Sequence, residues 1–260
     1  MTTRKKWALS VLTSSGLLSL GFSGLLLNPR LLYAHETVTS QYTIYHNQPL
    51  APAFGQRLAQ ARALVRPSEV FASTLRLEVC LNDGSRYPRL VQAAEGPAFA
   101  WAFYNKVVLN GELHVAANQL TFRHYGWNLT RLLAHEMTHC YQFHRLGLWR
   151  SNPLARYPTW KWEGYAEYVA RQPSSPAALR QHLTYLQAAE HTAPGQWGLR
   201  LPDSTSTSRE YFRYYLLTDY FLTVKQLTFA QLLDDTTSQP TAQQQLRQWA
   251  QPGKTAGQRE

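Results

Sequence analysis

One short stretch of the chain carries the residue types of a metal site. Residues 135–139 read His-Glu-Met-Thr-His. Two histidines four positions apart on a helix are separated by about 40° around its axis and about one turn along it, so both imidazoles face one point. Zinc accepts such a pair of nitrogens at about 2.0–2.1 Å. The pattern therefore predicts that His135 and His139 bind Zn²⁺, while Glu136 takes a proton from zinc-bound water.

The surrounding residues place this stretch in the middle of a helix. Apolar residues from Leu129 to Met137 recur with the period of one helix face. Gly147 is a natural residue for the helix end. We therefore predict one helix over residues 128–146 and a second over Pro158–Arg171, which ends before Pro173.

The order of the remaining elements predicts the fold class. Strands are expected first and helices later, which is the order of an α+β fold with a small N-terminal mixed or antiparallel sheet and a mostly helical C-terminal part. The predicted strands are Leu75–Leu81, strands within Phe99–Leu109, and an edge strand over Leu113–Phe122; the predicted helices are Pro52–Val65, Ala177–Glu190, Arg209–Gln226, Phe229–Leu233 and Ala242–Gln251.

A stretch downstream of the histidine pair resembles a known superfamily. Residues 160–168 read Trp-Lys-Trp-Glu-Gly-Tyr-Ala-Glu-Tyr. With His-Glu-x-x-His, this stretch resembles the gluzincin superfamily of zinc peptidases, which includes thermolysin-like proteases and membrane-alanyl-type aminopeptidases. The resemblance covers Leu129–Ala170 best. It implies a zincin-like metallopeptidase domain in which Glu163 is the third zinc ligand and Glu167 orients a metal-bound histidine.

The resemblance also implies a second electrophile that shares the oxyanion charge. Gluzincins supply a Tyr or His from a later helix, and residues 210–215 read Glu-Tyr-Phe-Arg-Tyr-Tyr. We choose Tyr215 or Tyr211 for this role. An aromatic stripe at this spacing is also typical of a helix core, so that alternative stays open. By analogy, the edge strand Leu113–Phe122 aligns the substrate backbone by strand addition.

The chain also departs from its relatives. The Gly-x-Met-Glu-Asn motif of the aminopeptidases is absent, which favours an endopeptidase. Trp162 stands where relatives often have Asn, and the 24 positions between His139 and Glu163 imply a different connecting loop. The longer metzincin pattern fails, because Gln142 and Arg145 replace its Gly and third His; His144 is interpreted as a surface or core residue.

The N-terminus has the pattern of a targeting segment. Arg4, Lys5 and Lys6 precede an uncharged run of 21 residues, Trp7–Leu27. Such a run spans about 30 Å of hydrocarbon, and the positive end stays in the cytoplasm. We predict residues 1–34 to be a signal-anchor or signal peptide and residues 35–260 to be an extracytoplasmic catalytic domain, secreted if the segment is cleaved. A buried N-terminal helix is the structural alternative.

Charge and cysteine content limit the partners. The formal net charge is +10, but no cluster or motif for nucleic acid accompanies it, so no nucleic-acid partner is expected. Cys80 and Cys140 form either one disulfide or two buried thiols.

The predicted function is zinc-dependent hydrolysis of peptide bonds in a peptide or protein substrate. Four alternatives stay open. They are a buried polar cluster without metal, a membrane-anchored non-catalytic binding domain that keeps the fold, a zinc hydrolase acting on an ester or a cell-wall amide, and an intracellular DNA-associated metalloprotease.

Overall fold

The computed structural model describes residues 21–251 and has the predicted α+β organisation. The strands are β1 (His35–Val38), β2 (Tyr42–His46), β3 (Leu77–Cys80), β4 (Ala100–Phe103), β5 (Lys106–Leu109), β6 (Glu112–His114), β7 (Gln119–Phe122), β8 (Tyr125–Asn128), β9 (Gly198–Arg200) and β10 (Ser206–Ser208). The α-helices are α1 (Phe54–Val65), α2 (Tyr87–Glu95), α3 (Leu129–Leu146), α4 (Thr159–Arg171), α5 (Pro176–Thr192), α6 (Arg209–Asp219), α7 (Phe229–Asp234) and α8 (Gln239–Ala250).

The main sheet has five strands in the order β1-β2-β3-β5-β4. Its centre is parallel, and both edges pair antiparallel with their neighbours. Alternate residues of β5 enter different cores: Val107 and Leu109 face one core, and Val108 faces the other. Because successive strand residues point to opposite faces, burial on both sides explains the apolar run from Val107 to Leu109.

Helices cover the two faces of this sheet unequally. Helices α1 and α3 share the larger core, and α2 contributes to the smaller core on the opposite face. Cys80 belongs to the smaller core and Cys140 to the larger one, and both are free and fully buried. The two thiols are therefore separated by the sheet, and of the two alternatives for the cysteines the structure has the buried thiols.

The prediction of a single strand over Leu113–Phe122 is wrong. This region forms β6 and β7 with a turn between them, and β8 completes a three-stranded antiparallel sheet. Asn118 lies in that turn with a φ of 53°, a conformation that Asn tolerates better than most residues. Its side-chain oxygen accepts hydrogen bonds from the backbone N–H (3.0 Å) and hydroxyl (2.8 Å) of Thr130. The turn thereby fixes the start of α3.

The C-terminal half is helical, as predicted. Helices α5, α6 and α8 share a further core with Trp160 of α4, which we call the C-terminal core. The predicted helix Arg209–Gln226 is shorter: α6 ends at Asp219, and one π-helical turn follows at Tyr220–Val224. Helix α4 passes very close to α6 at Gly164, because an added Cβ there would lie 2.8 Å from the carbonyl oxygen of Tyr214.

The predicted membrane segment, residues 7–27, lies mostly outside the described residues. Residues 21–27 are helical, and the hydroxyl of Tyr87 donates to the carbonyl of Leu26 (2.6 Å). Among residues 21–251, the structure contains no helix with the length and apolar character needed to span a membrane.

Candidate metal centre

Three side-chain atoms from two helices converge on one point. Nε2 of His135, Nε2 of His139 and Oε2 of Glu163 are separated by 3.1, 3.2 and 3.3 Å. A tetrahedral zinc site with bonds of about 2.0–2.1 Å has ligand–ligand edges of about 3.3–3.4 Å. The three atoms thus form a nearly regular triangle of the size of one face of that tetrahedron. Among the described residues, these three side chains form the group that could hold a metal ion.

Helix α3 brings the two histidines together. Its N-cap is Asn128, whose side chain accepts a hydrogen bond from the backbone N–H of Arg131 (3.0 Å). The helix ends at Gly147, whose positive φ of 75° suits glycine. Between these ends the spacing of four residues places the imidazoles edge to face, with ring centroids 4.8 Å apart and planes at 80°. Helix α4 supplies Glu163 from across the cleft.

The hydrogen-bond partners of the imidazoles assign their protons. Nδ1 of His139 lies 2.7 Å from Oε1 of Gln142, an acceptor, so it carries the proton. Nδ1 of His135 lies 3.0 Å from Oε1 of Glu167, although the two are not aligned as a linear hydrogen bond. With the proton on Nδ1 of each ring, both Nε2 atoms are acceptors beside the carboxylate oxygen of Glu163. Three acceptors this close repel one another unless a cation lies between them, so these residues fit a metal ion.

Gln142 was not predicted as a site residue. It lies one turn after His139 on the same helix and is fully buried. Its amide also donates to the carbonyl of Trp162 (3.5 Å). The spacing of three residues after a ligating histidine was the available signal, but a glutamine there is not distinctive in sequence.

Glu167 connects His135 to a buried cation. Its Oε2 accepts a hydrogen bond from Nε of Arg171 (2.7 Å), and that guanidinium also donates to the hydroxyl of Thr207 (2.9 Å). Burial raises the pKa of Glu167, but Arg171 and His135 outweigh it and lower the pKa to about 2. The lowered pKa favours the ionised form of Glu167 beside His135, and its role in orienting that imidazole stays a prediction.

Glu163 and Glu136 surround the histidine pair with further negative charge. Burial raises the pKa of Glu163, but the charges of His139 and His135 outweigh this effect and lower it. Glu136 is only 7% exposed and lines the cleft. Burial raises its pKa above the ordinary value, partly offset by His135 and His139. A carboxylate with a raised pKa is suited to accepting and returning a proton.

Of the two predicted tyrosines, one lies at the site. Tyr211 lines the cleft, with its ring centroid 5.8 Å from that of His135. Burial and the neighbouring carboxylates, Glu163 first, raise the pKa of its hydroxyl, so it is a proton donor. Tyr215 instead shares a hydrogen bond with the hydroxyl of Ser174 (2.5 Å). It packs in the C-terminal core, away from the candidate ligands.

The site opens into a large cleft. The cleft has a volume of about 990 Å³ and is lined by both histidines, Glu136, Glu163, Glu167 and Tyr211. One wall is the edge strand β4 of the main sheet. Aromatic rings form another part of the lining, and five of them contact one another: Phe99, Phe122, Tyr125, Trp127 and Trp197.

Similarity to known proteins does not identify the chain. No family model, curated protein or solved structure matches it. A function must therefore be inferred from the residues of the cleft themselves.

Of the residues that depart from related patterns, Arg145 lies outside the centre, whereas Gln142 and Trp162 contact His139. His144 and Arg145 are exposed on the last turn of α3. Trp162 stacks on the ring of His139, with centroids 6.0 Å apart and planes at 17°. Trp162 thus holds the imidazole by packing.

Proposed function

We propose that the protein is a zinc-dependent peptidase of the gluzincin type. The observation that carries the proposal is the triangle of two imidazole nitrogens and one carboxylate oxygen, with Glu136 beside it in an open cleft. Two nitrogens and one oxygen form the ligand set of catalytic zinc sites, which leave the fourth position open. Zinc held there would supply a Lewis acid and a water of lowered pKa.

Glu136 is proposed as the general base and then the general acid. It follows the first ligand on α3, so its carboxylate is directed beside the ligand triangle rather than into it. Its raised pKa makes it able to take a proton from the attacking water and deliver it to the departing amine. Metal binding alone does not need this carboxylate, which favours a catalyst over a binding domain.

Tyr211 is proposed to stabilise the oxyanion. It is the third residue of α6, whose N-cap Ser208 accepts a hydrogen bond from the Tyr211 N–H (2.9 Å). Its hydroxyl stays protonated at neutral pH, so it can donate to a carbonyl oxygen that gains negative charge. Tyr215 has no place in this proposal, because its hydroxyl lies elsewhere.

The proposed substrate is an extended polypeptide. Strand β4 is the last strand of its sheet and lines the cleft, so its free backbone edge can pair with a substrate strand. This role replaces the one expected for Leu113–Phe122. The cleft volume suits several residues of a chain, and no motif fixes an amino terminus, which together favour an endopeptidase.

The proposed location is the extracytoplasmic side of a membrane. Basic residues at positions 4–6 and the uncharged run 7–27 favour an anchor there, or secretion after cleavage. The expected partners are a protein or peptide substrate and the membrane, and no nucleic acid.

The test combines metal content with turnover. Full-length wild type, Glu163→Ala, Glu136→Gln and the exposed control Glu112→Gln are analysed for zinc per chain and screened on a peptide panel that includes ester and amide substrates. We expect about one zinc in all variants except Glu163→Ala, and turnover only in wild type and Glu112→Gln. Zinc binding without turnover on any substrate would replace the peptidase with a binding domain, and absence of zinc from folded wild type would overturn both.

A further inference from the structure

The loop between α3 and α4, residues 147–158, exposes apolar side chains at its tip. Trp149 is 81% exposed, Leu154 49% and Leu148 40%. Isolated surface leucines are common, but three large apolar side chains within seven residues form a patch. We call this loop the rim loop, because Asn152 and Pro153 line the cleft beside Phe143.

These exposed side chains lie on a loop that internal hydrogen bonds hold in place. Ser151 is fully buried, and its hydroxyl donates to the carbonyl of Gly147 (2.8 Å). The Asn152 side chain bonds both the N–H (2.7 Å) and the carbonyl (3.0 Å) of Tyr157. These bonds fix the backbone so that Trp149 points into solvent. The patch is therefore presented by the fold.

The charged side chains of the chain segment that carries the patch have one sign. No Asp or Glu occurs between Glu136 and Glu163. Arg145, Arg150 and Arg156 are all exposed, and within residues 21–251 none of them forms an ion pair. Unpaired arginines next to exposed apolar side chains are complementary to a surface that offers both phosphates and hydrocarbon.

We propose that the rim loop docks on an anionic lipid bilayer. Tryptophan prefers the boundary between lipid headgroups and acyl chains, where its ring is apolar and its N–H stays wet. Leu148 and Leu154 enter the same boundary, and the three arginines contact lipid phosphates. Docking there holds the mouth of the cleft against the membrane surface. It depends neither on residues 1–20 nor on hydrolysis in the cleft.

A thiol reporter on the loop tests this docking in the full-length chain. Because Cys80 and Cys140 are fully buried, Leu154→Cys creates one accessible thiol, which is labelled with the polarity-sensitive dye NBD. The labelled chain is reconstituted into phosphatidylcholine vesicles with or without phosphatidylglycerol. Any attachment through the N-terminus is then common to both preparations.

We expect blue-shifted NBD emission, quenched by headgroup spin-labelled lipid, only in the vesicles that contain phosphatidylglycerol. Arg150→Gln with Arg156→Gln should lower the ratio of docked to free loop about 25-fold, since each basic residue near the surface contributes about fivefold. Trp149→Ser should lower it as well. The exposed pair Arg86→Gln with Arg89→Gln carries the same charge change and should have little effect.

Three outcomes would overturn the proposal. They are emission that is unchanged by either lipid, a shift that is equal in both lipids, and a lipid-independent shift that grows with protein concentration, which would assign the patch to self-association. A label at exposed Tyr185→Cys on α5 reports whether the whole domain, rather than the rim loop, approaches the bilayer.

Discussion

Nδ1 of His139 lies 2.7 Å from Oε1 of Gln142, one turn further along the same helix. This contact leaves Nε2 of His139 free to bind a metal. We expect Gln142→Met, which removes the acceptor at similar volume, to weaken zinc binding about 10–100-fold, as losses of such orienting contacts do. Competition with a fluorescent chelator measures the affinity.

Gln142→Glu is the matched variant, because a carboxylate still accepts from Nδ1. Its zinc affinity should stay near that of wild type. Equal loss in both variants would show that Gln142 acts through packing and not through the imidazole proton.

Substitutions of the two tyrosines of α6, Tyr211 and Tyr215, should have different effects on kcat. Tyr211→Phe removes a donor in the cleft, and we expect kcat to fall about 10²–10³-fold with zinc retained. Tyr215→Phe loses the bonds of its hydroxyl to Ser174 and to the carbonyl of Gln172, and should keep kcat while losing about 1 kcal/mol of stability. Turnover and urea unfolding of both variants check this. A similar kcat for the two would remove Tyr211 from the mechanism.

Periodicity in sequence was enough to locate the helices of the site. The apolar repeat around residues 135–139 predicted α3, and the helix end expected at Gly147 is confirmed; the structure adds that Asn128 is the N-cap. The approach of His135 to His139 could be anticipated because a spacing of four on a helix has one geometric outcome, whereas Glu163 was expected only from the resemblance. The contact of Glu167 with Arg171 needed the structure, since both partners are common in exposed helices.

The wrong and missing secondary-structure predictions lie where the local sequence pattern is compatible with more than one structure. β6 and β7 read as one strand, because a turn closed by Asn118 has no glycine or proline to mark it. Strands β1 and β2 and helix α2 were not predicted, since each is short. The strands take their stability from pairing in the sheet, and the helix takes it from packing against the sheet. The edge proposed to pair with substrate likewise depends on strand order, which places β4 last and cannot be read from local pattern.

Position 164, next to Glu163, is occupied by glycine for a steric reason. A Cβ at this position would lie 2.3 Å from the Thr218 hydroxyl and 2.8 Å from the Tyr214 carbonyl oxygen. We expect Gly164→Ala to cost about 1–3 kcal/mol by overpacking and to weaken zinc binding by moving Glu163. Urea unfolding and zinc titration measure the two effects.

Gly55→Ala is the control, because an added Cβ in that exposed helical position has no neighbour within 4 Å. It should be neutral or gain up to about 1 kcal/mol. Comparable losses for both glycines would contradict the close approach of α4 and α6.

Cys80 and Cys140 should not react with thiol reagents in the native protein. Burial raises the pKa of both thiols and hides them from reagents. A thiol-reactive chromophore without reductant should modify none in native protein and two per chain in denaturant. Recovery of no thiols in denaturant would mean that an intramolecular disulfide forms despite the sheet between them.

Arg171 and Glu167 form a buried pair whose disruption should be costly. Their side chains are only 9% and 5% exposed, and the guanidinium also stacks near the rings of Phe212 and Tyr215. Arg171→Met removes the cation beside a buried carboxylate whose other close polar neighbour is the His135 imidazole, and we expect a loss of about 3–5 kcal/mol in urea unfolding with a chelator present. Adding Glu167→Gln removes the uncompensated charge and should restore part of that loss. The surface pair Arg213–Glu190 provides the comparison, since Arg213→Met should cost no more than about 1 kcal/mol. If the double variant were less stable than Arg171→Met alone, the pair would stabilise the fold through packing of the arginine and not through its charge.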